Sequence, residues 1–170
     1  AGLIEYKDLC IESVLKTSNK KLSFLYSKKS KFYNSIMEEG YIKTKKDEFV
    51  IKAIDPLEND YVNFICELNL EELEGKHLDR FESIEQTIAT ILNLAISGTG
   101  WTVQDNNIKK KRTIRKTDCS CLELVQEIKK TFRVDIEFDS LNKKIKIYEQ
   151  LGDDKGVYFI EDLNLRSLQV

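Results

Sequence analysis

The chain has 170 residues, enough to bury a real core as one domain or two small ones. Apolar residues make 41% and charged residues 33%, and the net charge is −2, so no global field attracts nucleic acid or anionic membrane. No apolar run approaches the roughly 20 residues that span a bilayer, and no basic region followed by an apolar block marks a signal peptide. Position 1 is Ala, the only Met is Met37, and the chain stops in a strand-like stretch, so an excised fragment is expected.

The first third reads as β-rich. Residues 9–16 and 21–27 are short apolar runs split by Thr17, Ser18, Asn19 and Lys20, a turn-forming cluster that predicts a hairpin. Phe32, Ile36 and Met37 lie at helical spacing before Gly40, which predicts a short helix within 28–40. Residues 41–44 and 48–54 read as strands, and Pro56 stops the second of them. Val62, Phe64, Cys66 and Leu68 alternate with polar neighbours over 61–69, the signature of a half-buried strand. Together these segments predict a curled antiparallel sheet or small barrel.

The next section changes character. Residues 71–81 are charged and without a clear period, and read as a connection. Ser83 and Gln86 form a capping-box pattern, and Ile84, Ile88, Ile91, Leu92 and Ala95 follow as one helical stripe, so a helix is predicted over 83–97. Gly98 supplies its left-handed exit, and Trp101 and Val103 begin a strand. A second strand is predicted over 108–116. Ser120 and Glu123 repeat the capping box ahead of the stripe Leu122, Val125, Ile128 and Phe132. Val134, Ile136 and Phe138 alternate, and Ile145 and Ile147 alternate back after a turn. The order is helix, two strands, helix, two strands, and the economical packing is one small sheet under two helices. Residues 156–165 return to a β pattern. The predicted fold class is α+β.

Motifs that carry chemistry are sparse. Cys10, Cys66, Cys119 and Cys121 lack the spacing of a zinc site, and His77, the one histidine, sits in a charged connection. These thiols read as free, in keeping with assembly in a reducing cytosol. A Ser/His/Asp or Cys/His arrangement would rest on His77 alone. Gly98 and Gly100 follow a helix and lack the third glycine of a dinucleotide loop. No catalytic, cofactor-binding or metal-binding residue is assigned. Trp101 reads as a core aromatic in preference to a sugar-stacking one. Lys109, Lys110, Lys111, Arg112, Arg115 and Lys116 crowd one strand. With little aromatic interleaving, this run reads as a charged outer face or a contact with an acidic neighbour, not as a nucleic-acid strip.

The literal residue order adds a resemblance. The helix over 83–97, then Gly98-Thr99-Gly100-Trp101-Thr102-Val103, the basic strand over 108–116, and the segments 119–130 and 136–143 resemble the tail-tip proteins of long-tailed phages and prophages, the prophage endopeptidase tail family. The resemblance covers nearly the whole chain. It implies a baseplate-hub-like part with a barrel-like domain at 1–82, an inserted α+β unit at 83–151, and a strand within 152–170 returning to the first domain. It implies a homotrimer in the virion tail tip, made in the bacterial host cytoplasm. Its partners would be the tail tube or distal tail protein and the tape measure. Its work would be to join tube to tip and to carry a C-terminal effector. No peptidase or lysin motif appears in these residues, so no enzyme is expected, no cofactor, no nucleic acid and no membrane segment. Two alternatives stay open: a carbohydrate- or receptor-binding module, and a fragment of a tail-associated cell-wall hydrolase.

Overall fold

The computed structural model describes residues 3, 5–104 and 107–149. The first sheet has strands β1 (Lys7–Val14), β2 (Asn19–Ser27), β3 (Tyr41–Lys43), β4 (Glu48–Pro56) and β5 (Tyr61–Leu68), in the order β1-β2-β5-β4-β3. Every neighbouring pair is antiparallel. The predicted hairpin over 9–27 forms, and the alternation in β5 buries Val62, Phe64, Cys66 and Leu68 as expected. These stack on Leu22, Phe24 and Tyr26 of β2, with the Phe24 and Phe64 rings at 5.1 Å between centroids.

The sheet does not close into the expected barrel. β1 and β3 remain edge strands, although residues of β1, β2 and β3 line one groove of about 740 Å³. β3 is only three residues long, too short to carry a ladder across that space. The helix expected over 28–40 is reduced to a single 3-10 turn, Tyr33–Ser35. At Ile36 the backbone turns extended, and Glu39 N–H donates to Ile51 O at 2.8 Å. Pairing with β4 wins over local helical spacing there, and Met37 is left exposed.

The largest departure lies between 71 and 87. The expected connection is a short helix α1 (Glu71–Gly75) succeeded by the long strand β6 (His77–Thr87). The helix predicted from Ser83 begins later, as α2 (Ile88–Ala95). Ser83 is a buried strand residue opposite Ile114, so the Ser83/Gln86 capping box does not exist. The cap is Thr87, whose Oγ1 accepts from Thr90 N–H at 3.4 Å. Between Ser83 and Gln86 the ladder shifts register, with Glu85 at φ 47°. Such a bulge bends the strand and turns its remaining residues to a new direction. Ile84 consequently points outward, whereas Ile88, Ile91, Leu92 and Ala95 are buried as the stripe predicts.

The second capping box is real. Ser120 Oγ accepts from Glu123 N–H at 3.1 Å, and Glu123 Oε2 accepts from Ser120 N–H at 2.8 Å, opening α3 (Cys121–Phe132). Ser120→Ala is expected to destabilise the protein by about 1 kcal/mol, because first-turn amides lose an acceptor. Thr87→Ala should cost about 0.5 kcal/mol, since its bond is long. Urea melts check both, and a parent-like Ser120→Ala melt would refute the cap.

Strands β7 (Thr102–Val103), β8 (Lys111–Ser120), β9 (Asp135–Asp139) and β10 (Lys144–Tyr148) complete the described chain. The helix–two strands–helix–two strands order holds, but the expected single small sheet is two. β10 pairs parallel with β7 and antiparallel with β9, while β8 pairs antiparallel with β6 in a separate ribbon. Gly98 and Gly100, at φ 80° and 81°, make the turn from α2 into β7. One hydrophobic cluster runs from the first sheet through α1, α2 and α3 to β9 and β10. Ser140 Oγ joins the two regions, accepting from Glu48 N–H at 2.7 Å and donating to Glu48 O at 3.0 Å. Residues 150–170, with the β pattern expected at 156–165, lie outside the described residues.

Candidate interface on the basic ribbon

The β6–β8 ribbon carries Lys111, Arg112, Arg115 and Lys116 of the six basic residues; the strand expected over 108–116 begins only at Lys111, and Lys109 and Lys110 lead into it. Its inner side is anchored by Ile114 and Cys119, both buried, and by Phe81 and Leu78, partly buried against the core. Its outer side is charged. The register places Glu82 opposite Arg115 and Phe81 opposite Lys116 near the base, and Thr87 opposite Lys111 toward the other end.

Charge is compensated unevenly along this ribbon. Arg115 Nε donates to Glu82 Oε1 at 2.6 Å, and Arg80 Nη2 donates to Glu82 Oε2 at 3.1 Å. The Arg115 guanidinium, then that of Arg80, holds the Glu82 carboxyl below the usual carboxylate range. His77 Nε2 lies 3.1 Å from Asp118 and 3.8 Å from Asp79. Toward the other end, Lys109, Lys110, Lys111 and Arg112 are exposed and form no ion pair among the described residues. Arg112 Nη1 donates only to the carbonyl of Lys111, at 3.0 Å. The basic run is therefore two things: a neutralised base at Arg115 and an uncompensated tip at 109–112. The sequence reading missed Glu82 as the neutralising partner, because 71–81 carries no strand pattern.

The acidic stretch from Glu67 to Glu74 is mostly engaged already. Glu67 pairs with Lys21 at 3.6 Å, and Glu71 accepts from Tyr41 Oη at 3.0 Å and pairs with Lys52 at 3.7 Å. Glu72 pairs with Lys143 and accepts from Trp101 Nε1 at 3.3 Å. Only Glu74 has no such partner among the described residues. This stretch is thus a poor match for an uncompensated basic tip.

Other candidates for chemistry resolve as structural. Trp101 is 5% exposed and meets Phe138 edge-on, with ring centroids 5.9 Å apart. Its faces are not open to a sugar. Burial pushes the Cys66 thiol up to about 12 and the Cys121 thiol up to about 11. Burial raises Cys119 as well. A thiol held protonated is a poor nucleophile. Among the described residues, no group of three or more His, Cys, Asp or Glu could hold a metal ion. No described helix is long and apolar enough to cross a membrane.

Residues 74–147 match the family model of the prophage endopeptidase tail domain. No curated protein sequence matches the chain. Solved structures that share its fold include two tail proteins. The prophage tail protein gp18 from Listeria monocytogenes EGD-e is 15% identical, with a TM-score of 0.64 over 85% of this chain and 45% of its own length. The tail protein from Neisseria meningitidis MC58 is 7% identical, with a TM-score of 0.57 over 81% of this chain and 44% of its own. The chain therefore spans less than half the length of each. The matched domain begins in α1 and takes in the ribbon, α2, α3 and the small sheet. Residues 74–147, less than half of the chain, thus match the prophage endopeptidase tail domain, and the chain shares the fold of these two tail proteins.

Proposed function

We propose that this chain is a phage tail protein that works at the distal tip of the tail as a hub-like structural module. In this reading it joins the tail tube to the tip, assembles as a homotrimer in the intact virion, and carries an effector domain C-terminal to these residues. It meets the tube or distal tail protein on one side and the tape measure on the other. The observation that carries this reading is the ribbon tip, Lys109, Lys110, Lys111 and Arg112, exposed without ion-pair partners among the described residues while Arg115 at the base is neutralised. Like charges gathered without counter-charge weaken a monomer and favour an acidic neighbour. Arg115, already paired with Glu82, and Lys116 would flank this contact at the base without carrying it.

The proposal includes two structural units, 1–82 and an inserted 83–151, with 152–170 returning to the first. β6 runs across the first boundary. The unpaired edges β1 and β3, with Tyr6, Leu9, Ile11 and Tyr41 all exposed around one apolar groove, support a returning strand. An uncovered apolar edge is otherwise an aggregation hazard.

On this reading the chain is not itself a hydrolase. His77 is an exposed residue between Asp79 and Asp118, and the buried thiols at Cys66, Cys119 and Cys121 are held protonated. Purified chain on a peptidoglycan zymogram is expected to leave no cleared band. Clearing that disappears in His77→Ala or Cys119→Ala would overturn this part. Light scattering on the complete gene product is expected to give a trimer that dissociates as salt rises. A monomer at high concentration and low salt would sink the hub reading.

A further inference from the structure

A second basic surface lies away from the ribbon tip. The turn after β1, strand β8 and helix α3 converge on an open cleft of about 520 Å³. Lys16, Lys116, Lys130 and Arg133 line it, and none forms an ion pair among the described residues. Its carboxylates are Glu123 and Glu127. Glu123 is spent on the α3 capping box, where the Ser120 amide holds its carboxyl below the usual range. Four cations thus face two carboxylates, a local excess of positive charge in a chain whose net charge is −2.

The cleft is braced from beneath. Lys129, 8% exposed, donates to Leu15 O at 2.5 Å, Lys16 O at 3.1 Å and Ser18 Oγ at 2.8 Å. Gln126 Nε2 donates to Thr17 O at 2.6 Å. These bonds fasten the β1–β2 turn to α3, so the two walls are held in position before anything binds. Preorganisation of this kind lowers the ordering cost of association.

We propose that this cleft is a docking surface for an acidic, extended protein segment. Charge complementarity points to the sign of the partner. The lining points to its kind. Glu127 stands among the cations, with Gln126 and Thr17 beside it. An unbroken phosphate polymer would meet Glu127 head-on. A peptide can space its carboxylates and set hydrogen-bonding groups between them. The cleft volume falls within the range of about 300–1,000 Å³ usual for small binding sites, which suits a few residues of such a segment.

Fluorescence anisotropy on the whole chain tests this, with a labelled peptide of alternating Glu and Ser as the probe and its Gln–Ser counterpart as control. At low ionic strength the Glu peptide is expected to bind saturably and the Gln peptide not. Lys16→Glu with Lys130→Glu should weaken binding about tenfold or more, or roughly 1.4 kcal/mol. Both side chains are exposed, and the paired Gln substitutions should give a smaller loss. Lys45→Glu with Lys46→Glu, two exposed lysines in the β3–β4 turn, change the net charge equally and should leave this binding unchanged, which separates the cleft from a general charge effect. Absence of saturable binding, or unchanged binding in the Lys16 and Lys130 variants, would overturn the proposal. So would tighter binding of polyglycerol phosphate in competition, which would assign the cleft to a phosphate polymer.

Discussion

Trp101→Ala is expected to cost about 3–5 kcal/mol of stability, the range for removing a large buried aromatic. Trp101 lies where the glycine turn after α2 meets β7, and it closes the space between that helix and the small sheet. The substitution removes the edge-on contact with Phe138 and the indole donor to Glu72. Glu72 also pairs with Lys143, so it keeps one partner. Trp101→Phe retains most of the packing and loses the hydrogen bond, so a cost of about 1–2 kcal/mol is expected. Urea unfolding monitored by circular dichroism separates the two. In the parent, Trp101 emission should resist quenching by iodide. An Ala variant within about 1 kcal/mol of the parent, with easy quenching of the parent's emission, would return Trp101 to the surface and revive a sugar-binding role.

Reversing the ribbon tip is expected to have the largest effect on assembly. With Lys109, Lys110, Lys111 and Arg112 all changed to Glu, like charges would face the proposed acidic neighbour, at a cost of several kcal/mol. Association of the complete gene product should fall by about 100-fold or more at low salt, which corresponds to roughly 2.7 kcal/mol. Folding should be unaffected, because these four side chains are exposed and form no ion pairs among the described residues. Arg115→Glu is the contrasting variant. It places a second carboxylate beside Glu82 and should loosen the ribbon itself, giving a measurable loss of thermal stability. Sedimentation of the complete protein reads the first effect, and a thermal melt of this chain reads the second. Normal association by the fourfold variant would remove the basic tip from the interface.

The features legible in the residues share a physical character. α3 was legible because its capping box and its stripe are both local, and local interactions act whatever the rest of the chain does. β5 was legible because one face is buried and the other is not, which writes a period of two into the residues. Trp101 was placed in the core because a helix-ending glycine and a strand start leave a gap that a large ring fills. The uncompensated tip was half legible: the six basic residues are plain, but their division into a paired base and an unpaired tip is not.

The features hidden from the sequence share a character too. β6 was hidden because both of its faces are largely exposed and charged, so no alternation marks it. Its existence rests on pairing with β8, a contact such as Glu85 to Thr113 that spans 28 residues. Ser83 showed the pattern of a cap, yet the ladder to Ile114 claimed it first and passed the role to Thr87. The cleft at Lys16, Lys116, Lys130 and Arg133 draws on three distant segments and leaves no sequence motif.

The sequence by itself determined the α+β class, the amphipathic faces of α2 and α3, the antiparallel first sheet and the family resemblance, because each is encoded in residues close together along the chain. Only the tertiary structure decided that the first sheet stays open, that the second region splits into a ribbon and a small sheet, and which basic residues are neutralised. Strand partners and ion pairs are chosen among groups far apart in the chain, where several pairings satisfy the local pattern equally well. The choice falls to the arrangement that buries the shared core and satisfies the backbone at the same time.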